Sequence, residues 1–125
     1  MNRTILIVDD EAHIRILMEQ TLEDLEDEGV ELLTASNGTE ALELIETERP
    51  TLVFLDVMRP KMDGFEVCQA VKGSNLLQDT YIIMLTAKGQ EFDQQRGQEV
   101  GANLYMTKPF DPDEVLEKAT EILGV

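Results

Sequence analysis

The chain has 125 residues, 42% of them hydrophobic, and carries 26 Asp and Glu against 10 Lys and Arg. That length fits one domain, residues 1–125, and folding would hide roughly two-thirds of its unfolded surface, so no covalent staple is needed. A net charge of −16 excludes unaided nucleic-acid binding and disfavours anionic membranes, because both would repel the protein. A single cysteine, Cys68, excludes an intrachain disulfide and a multi-thiolate metal site. No apolar run approaches the ~20 residues needed to span a bilayer, and the N-terminus lacks a signal-peptide layout. A soluble domain of a reducing, cytoplasmic compartment is expected.

Short apolar runs alternate with longer amphipathic stretches along the chain. Thr4–Val8 is aliphatic without polar alternation, the pattern of a strand buried on both faces. Ile14, Leu17, Met18, Thr21, Leu22 and Leu25 then fall on one stripe, at i, i+3, i+4, i+7, i+8 and i+11, and predict a first helix. Val30–Ala35 predicts a second strand. Ser36-Asn37-Gly38 is a turn and helix-start cluster, followed by a shorter stripe of Ala41, Leu42 and Ile45. Leu52–Leu55 reads as a third strand, Gly64 to about Lys72 as a third helix, and Tyr81–Leu85 as a fourth strand.

The fourth helix, around Gln90–Val100, is the weakest. Only Phe92 and Val100 mark an apolar face, and Gly97 interrupts it at a cost of roughly 1 kcal/mol relative to Ala. Asn103–Met106 predicts the fifth strand. A last helix opens at Asp111, with Pro112 at its first position and Val115, Leu116, Ala119, Ile122 and Leu123 on one face. Five strand–helix pairs predict a doubly wound α/β fold, because parallel strands need crossover helices.

In such folds functional groups gather beyond the carboxyl ends of the strands. Asp9, Asp10 and Glu11 follow the first run, Asp56 the third, Thr86-Ala87 the fourth, and Thr107-Lys108-Pro109 the fifth. Taken singly, each has an ordinary explanation: a helix N-cap for Asp9 or Asp10, a turn residue for Thr86, a solvated surface charge for Lys108. Their coincidence at four strand ends is the specific signal. Carboxylates packed together repel, and each has its pKa raised unless a cation neutralises them. Oxygen-only ligands of this kind suit Mg²⁺ rather than zinc or copper.

Asp9-Asp10-Glu11, Asp56 with Pro60-Lys61-Met62-Asp63-Gly64 after it, Thr86-Ala87 and Lys108-Pro109-Phe110 together resemble the receiver domain of two-component response regulators. The resemblance runs from Leu6 to Leu123, with the motifs in order. It implies a five-stranded parallel sheet of order 2-1-3-4-5 and a phosphoacceptor at Asp56. It further implies Mg²⁺ held by Asp10, Asp56 and the Met58 backbone carbonyl, with Asp9 acting through a metal-bound water. Thr86 and Lys108 would contact the phosphoryl oxygens, Lys108–Pro109 would be a cis peptide, and Tyr105 would match a rotating aromatic. The implied partners are a sensor histidine kinase or histidine phosphotransfer protein and a downstream protein target, met on the face of helix 4, strand 5 and helix 5. Arg59 stands where Met or Leu is usual. Met58 and Lys88 fall at variable positions that, in the family resembled, tune how long the phosphoryl group survives.

Other classes fit less well. A flavin carrier needs a Ser/Thr/Gly-rich cradle where Asp9-Asp10-Glu11 would repel phosphate. An aspartyl-nucleophile phosphatase would want a second Asp where Met58 stands. A receiver-like module that binds partners without phosphorylation is the alternative within the same fold. His13 has no partner pattern around it and reads as a surface or site-rim residue rather than an internal donor. From Ile16 to Glu48 there are 11 acidic residues and no Lys or Arg, against 8 acidic and 4 basic from Thr86 to Val125. That acidic edge reads as a solvated face.

Overall fold

The computed structural model describes residues 3–57, 62–87 and 91–125, and of residues 91–94 the backbone alone. Strands β1 (Thr4–Val8), β2 (Glu31–Ala35), β3 (Leu52–Asp56), β4 (Tyr81–Ala87) and β5 (Leu104–Lys108) form one sheet in the order β2-β1-β3-β4-β5. All its pairings are parallel. Helices α1 (Ala12–Leu22), α2 (Gly38–Glu48), α3 (Gly64–Lys72) and α4 (Glu91–Glu99) connect successive strands, and α5 (Pro112–Leu123) follows the last.

Successive strand residues point to opposite faces, and here both faces are covered. Ile5, Ile7, Phe54, Ile83 and Leu85 pack under α1 and α5, against Met18, Leu22, Val115 and Ala119. Leu6, Val8, Val53, Leu55, Ile82 and Met84 pack under α2 and α3, against Ala41, Ile45, Val67 and Val71. Each of these strand side chains is fully buried, which is why the runs show no polar alternation. Burial of one such aliphatic chain contributes about 2 kcal/mol.

Local chemistry starts the helices where the sequence suggests. Asn37 caps α2 by accepting from the Glu40 N–H at 2.8 Å, Asp63 caps α3 by accepting from Glu66, and Asp111 caps α5 by accepting from Asp113. The first helix departs from expectation. α1 stops at Leu22, and Glu23–Glu28 continue as a 3₁₀ segment that ends at Gly29 in the left-handed region. Five carboxylates in that segment oppose the negative end of the helix dipole, and the tighter turn still buries Leu25. Leu17, expected on the buried stripe, is 42% exposed, and its neighbour Ile16 is 54% exposed. Strands β4 and β5 also run two residues beyond the apolar runs, so Thr86 and Lys108 lie inside strand ends rather than after them.

The C-terminal end of α4 is tied to α3. The Cys68 thiol, fully buried, donates to the Val100 carbonyl at 3.6 Å. Burial pushes that thiol up to about 11, so it is protonated packing and not a nucleophile. One turn on, the Lys72 ammonium donates to the carbonyls of Thr80 at 2.6 Å and Gln78 at 3.0 Å. Its stem lies against Gly101, where a Cβ would come within 3.1 Å of Lys72 Cγ.

Candidate functional site

The parallel sheet brings the carboxyl ends of its strands to one edge, and the order β2-β1-β3-β4-β5 sets β1 beside β3. Asp9 follows β1 directly and is 0% exposed. Its Oδ1 accepts from the Glu11 N–H at 2.9 Å, and its own N–H donates to the Ala35 carbonyl at 3.2 Å. Asp9 is therefore not the N-cap of α1; Glu11 holds that position without a side-chain cap. The Asp9 backbone carbonyl accepts from the Arg15 guanidinium at 2.6 Å. Arg15 was not legible as a site residue, because the bond goes to a main-chain atom that no motif marks.

Asp56 is the last residue of β3. Behind it the chain returns at Gly64, where a Cβ would come within 2.2 Å of the Asp56 carbonyl oxygen. Only glycine allows α3 to begin this close to the strand end. The Gly64 N–H donates to the Val57 carbonyl, closing the loop.

One ammonium joins the two strands' carboxylates. Lys108 Nζ lies 2.7 Å from Asp9 Oδ2 and 2.8 Å from Asp56 Oδ1. Asp10, on the exposed rim, adds a third carboxylate, and one oxygen from each of Asp9, Asp10 and Asp56 falls within 4.8 Å of the others. Burial raises the pKa of Asp56; the Lys108 hydrogen bond opposes this, while the charges of Asp9 and Asp10 reinforce it. For Lys108, burial alone would lower the pKa, but the bonds to Asp56 and Asp9 outweigh it and leave the ammonium raised.

The donor set is all oxygen and all anionic, with no sulfur or nitrogen ligand joining it among the described residues. A hard divalent cation such as Mg²⁺ fits that chemistry. This acidic triad is typical of the Mg²⁺ site of receiver domains. Thr86, fully buried, donates to the Met106 carbonyl across the β4–β5 pair at a long 3.5 Å. Lys108–Pro109 is cis. His13 is exposed on α1. Met58, Arg59, Pro60, Lys61 and Lys88 lie outside the described residues, as does the side chain of Phe92.

No helix among the described residues is long and apolar enough to cross a membrane. The family model for the response regulator receiver domain matches residues 5–120. The chain is 50% identical over 123 residues to the alkaline phosphatase synthesis transcriptional regulatory protein PhoP of Bacillus subtilis (strain 168), covering 98% of this chain and 49% of that protein. It is 44% identical over 123 residues to the phosphate regulon transcriptional regulatory protein PhoB of Pseudomonas aeruginosa, covering 98% and 52%. The chain thus spans about half the length of these curated relatives. Among solved structures, a CheY-like response regulator receiver domain protein from Methanospirillum hungatei JF-1 superposes with a TM-score of 0.85 at 32% identity, covering 99% of this chain and 95% of that one. Sequence, topology and the acidic pocket agree, and the chain belongs to the response regulator receiver domains, the signalling phosphoacceptors of two-component systems.

Proposed function

We propose that Asp56 accepts a phosphoryl group from the phosphohistidine of a sensor histidine kinase or a histidine phosphotransfer protein. The observation that carries this reading is the Lys108 ammonium held between Asp9 and Asp56 at hydrogen-bond distance from both. In the transfer, an Asp56 oxygen forms a bond to phosphorus as the nitrogen–phosphorus bond of the donor breaks, its electron pair returning to the imidazole. Phosphoryl transfer asks the protein for positioning and charge stabilisation rather than covalent work. Asp10, Asp56 and the Met58 carbonyl would hold Mg²⁺, with Asp9 acting on it through a water. When bound, that ion offsets the repulsion between carboxylates and the anionic phosphoryl group.

The chain's own residues supply the rest. Lys108 exchanges its bond to Asp56 for one to a phosphoryl oxygen while Asp9 keeps hold of it. The Thr86 hydroxyl leaves its long bond to Met106 for a second phosphoryl oxygen, shifting the loop that leads into α4. The surface of α4, β5 and α5 then changes, and a downstream protein target reads it. Residues 1–125 act as one receiver domain, working in the cytoplasm. The relatives PhoP and PhoB are named as transcriptional regulators, so the output would lie in transcription, this acidic domain making no direct contact with nucleic acid or membrane.

The experiment is phosphorylation of the intact protein by acetyl phosphate with Mg²⁺, followed by mass. One acid-stable, base-labile phosphoryl group is expected, and none on Asp56→Asn. A mutant that labels at the usual rate would overturn the assignment. A wild type that never labels would leave the non-phosphorylated binding module in its place.

A further inference from the structure

Gly97 lies in the middle of α4, the helix with the least apolar face, and is buried. A Cβ built there would stand 2.7 Å from Tyr105 Cε1, 3.5 Å from Tyr105 Cδ1 and 3.6 Å from Met84 Cγ. A side chain at 97 and the ring in its present place therefore exclude one another. Tyr105 is paired with Met84 across β4 and β5, so the ring fills the space between the sheet and α4. Its hydroxyl is buried and has no hydrogen-bond partner among the described residues. Among the described residues no bond rewards that inward position; the fit of the ring beside Gly97 does.

We propose that Gly97 is the positioning residue for Tyr105: its bare Cα leaves a notch in α4 that seats the ring, and the residue at 97 decides whether the β5 aromatic lies inside or outside. The glycine that weakens the helix is then explained by what it admits. A single missing methyl group ties the surface of α4 to that of β5. Burial, followed by the nearby Cys68, raises the Tyr105 phenol above its ordinary value, as an inward hydroxyl requires.

The test uses the unphosphorylated protein in a Tyr81→Phe background, since Tyr81 and Tyr105 are the two tyrosines of the chain. In that background, Tyr105 ring protons should show nuclear Overhauser contacts to the Gly97 Hα and the Met84 side chain, and the phenol should titrate above a free tyrosine. Gly97→Ala should abolish the Met84 contacts and bring the titration back toward that of free tyrosine. Contacts and titration both unchanged by Gly97→Ala would overturn the proposal.

A double-mutant cycle covers the case of a poorly folded variant. Gly97→Ala should lower the denaturation midpoint when Tyr105 is present, and raise it in a Tyr105→Ala background, where only the better helix propensity of Ala remains. Equal loss in both backgrounds would show that Gly97 serves something other than the ring. Neither measurement involves phosphorylation, so the notch stands or falls separately from the reading of Asp56.

Discussion

Lys108 and Asp9, 99 residues apart in the chain, meet at 2.7 Å, and Asp9 is wholly buried at that contact. A buried carboxylate with one cationic partner is costly to strip. Lys108→Met should destabilise the metal-free protein by about 3 kcal/mol, by leaving Asp9 and Asp56 facing each other uncompensated. Mg²⁺ should restore part of that loss. Urea unfolding with chelator and with Mg²⁺ checks both, and a variant as stable as wild type in chelator would contradict the pairing.

Asp56 carries the opposite lesson about charge. Its native pKa is raised above the ordinary 3.8, so the folded state binds its proton more tightly than the unfolded state does. Its contribution to stability is therefore largest below pH 3.8 and declines as pH rises through the raised native value. Asp56→Asn removes that decline. The stability difference between variant and wild type should grow in favour of the variant across the same interval, then level off. Lys108 follows the same direction at higher pH, but with the charged form favoured: its contribution is full below its ordinary 10.5 and fades as pH rises through the raised native value. Thermal midpoints over pH, without metal, read both windows.

Asp10 is exposed and repels Asp56. Asp10→Asn should stabilise the metal-free protein by under about 1 kcal/mol, as befits a solvent-screened charge. The same change should weaken Mg²⁺ more than loss of Asp9 does. Unchanged metal affinity in isothermal titration of Asp10→Asn, or tight zinc binding by the wild type, would count against the site.

Gly64 tests how closely the backbone is fitted around Asp56. Gly64→Ala places a methyl group where the Asp56 carbonyl oxygen already is, and should cost about 3 kcal/mol. Labelling by acetyl phosphate should slow as well, since the strand end must move to admit it. Wild-type stability in Gly64→Ala would show that α3 can withdraw freely.

A beryllofluoride mimic should perturb amide signals from Thr86 to Lys108 more than those from Val30 to Glu48, because the second strand and helix supply no group to the site. Thr86→Ala should still accept a phosphoryl group but should blunt the spread of perturbation to Tyr105. A chemical-shift map in which α2 responds most strongly would refute that route.

Much of this was legible in the sequence because both faces of the sheet are covered, and continuous apolar runs such as Leu52–Leu55 mark only that situation. The meeting of Asp9, Asp56 and Lys108 follows from strand order, which the resemblance supplied and the apolar pattern alone did not. Three features escaped. The end of α1 was overextended because Leu25 keeps its period through a 3₁₀ turn. Arg15 binds a main-chain carbonyl, and hydrogen bonds to backbone leave no residue pattern. The weakness of the helix around Gly97 read as a candidate for function, but what the glycine admits did not, because only coordinates place the Tyr105 ring beside it.

The bond from Cys68 to Val100, with the Lys72 stem packed beside Gly101, anchors the C-terminal end of α4. Its other end joins β4 just beyond Thr86, on the side where the carboxylates gather. A rod clamped at one end and pushed at the other swings rather than slides. A displacement at the Thr86 end, of the kind proposed on phosphorylation, would then tilt α4 about Val100. The anchor comes from Cys68 of α3, a helix that contributes no charged group to the pocket, and it would set the pivot of that tilt.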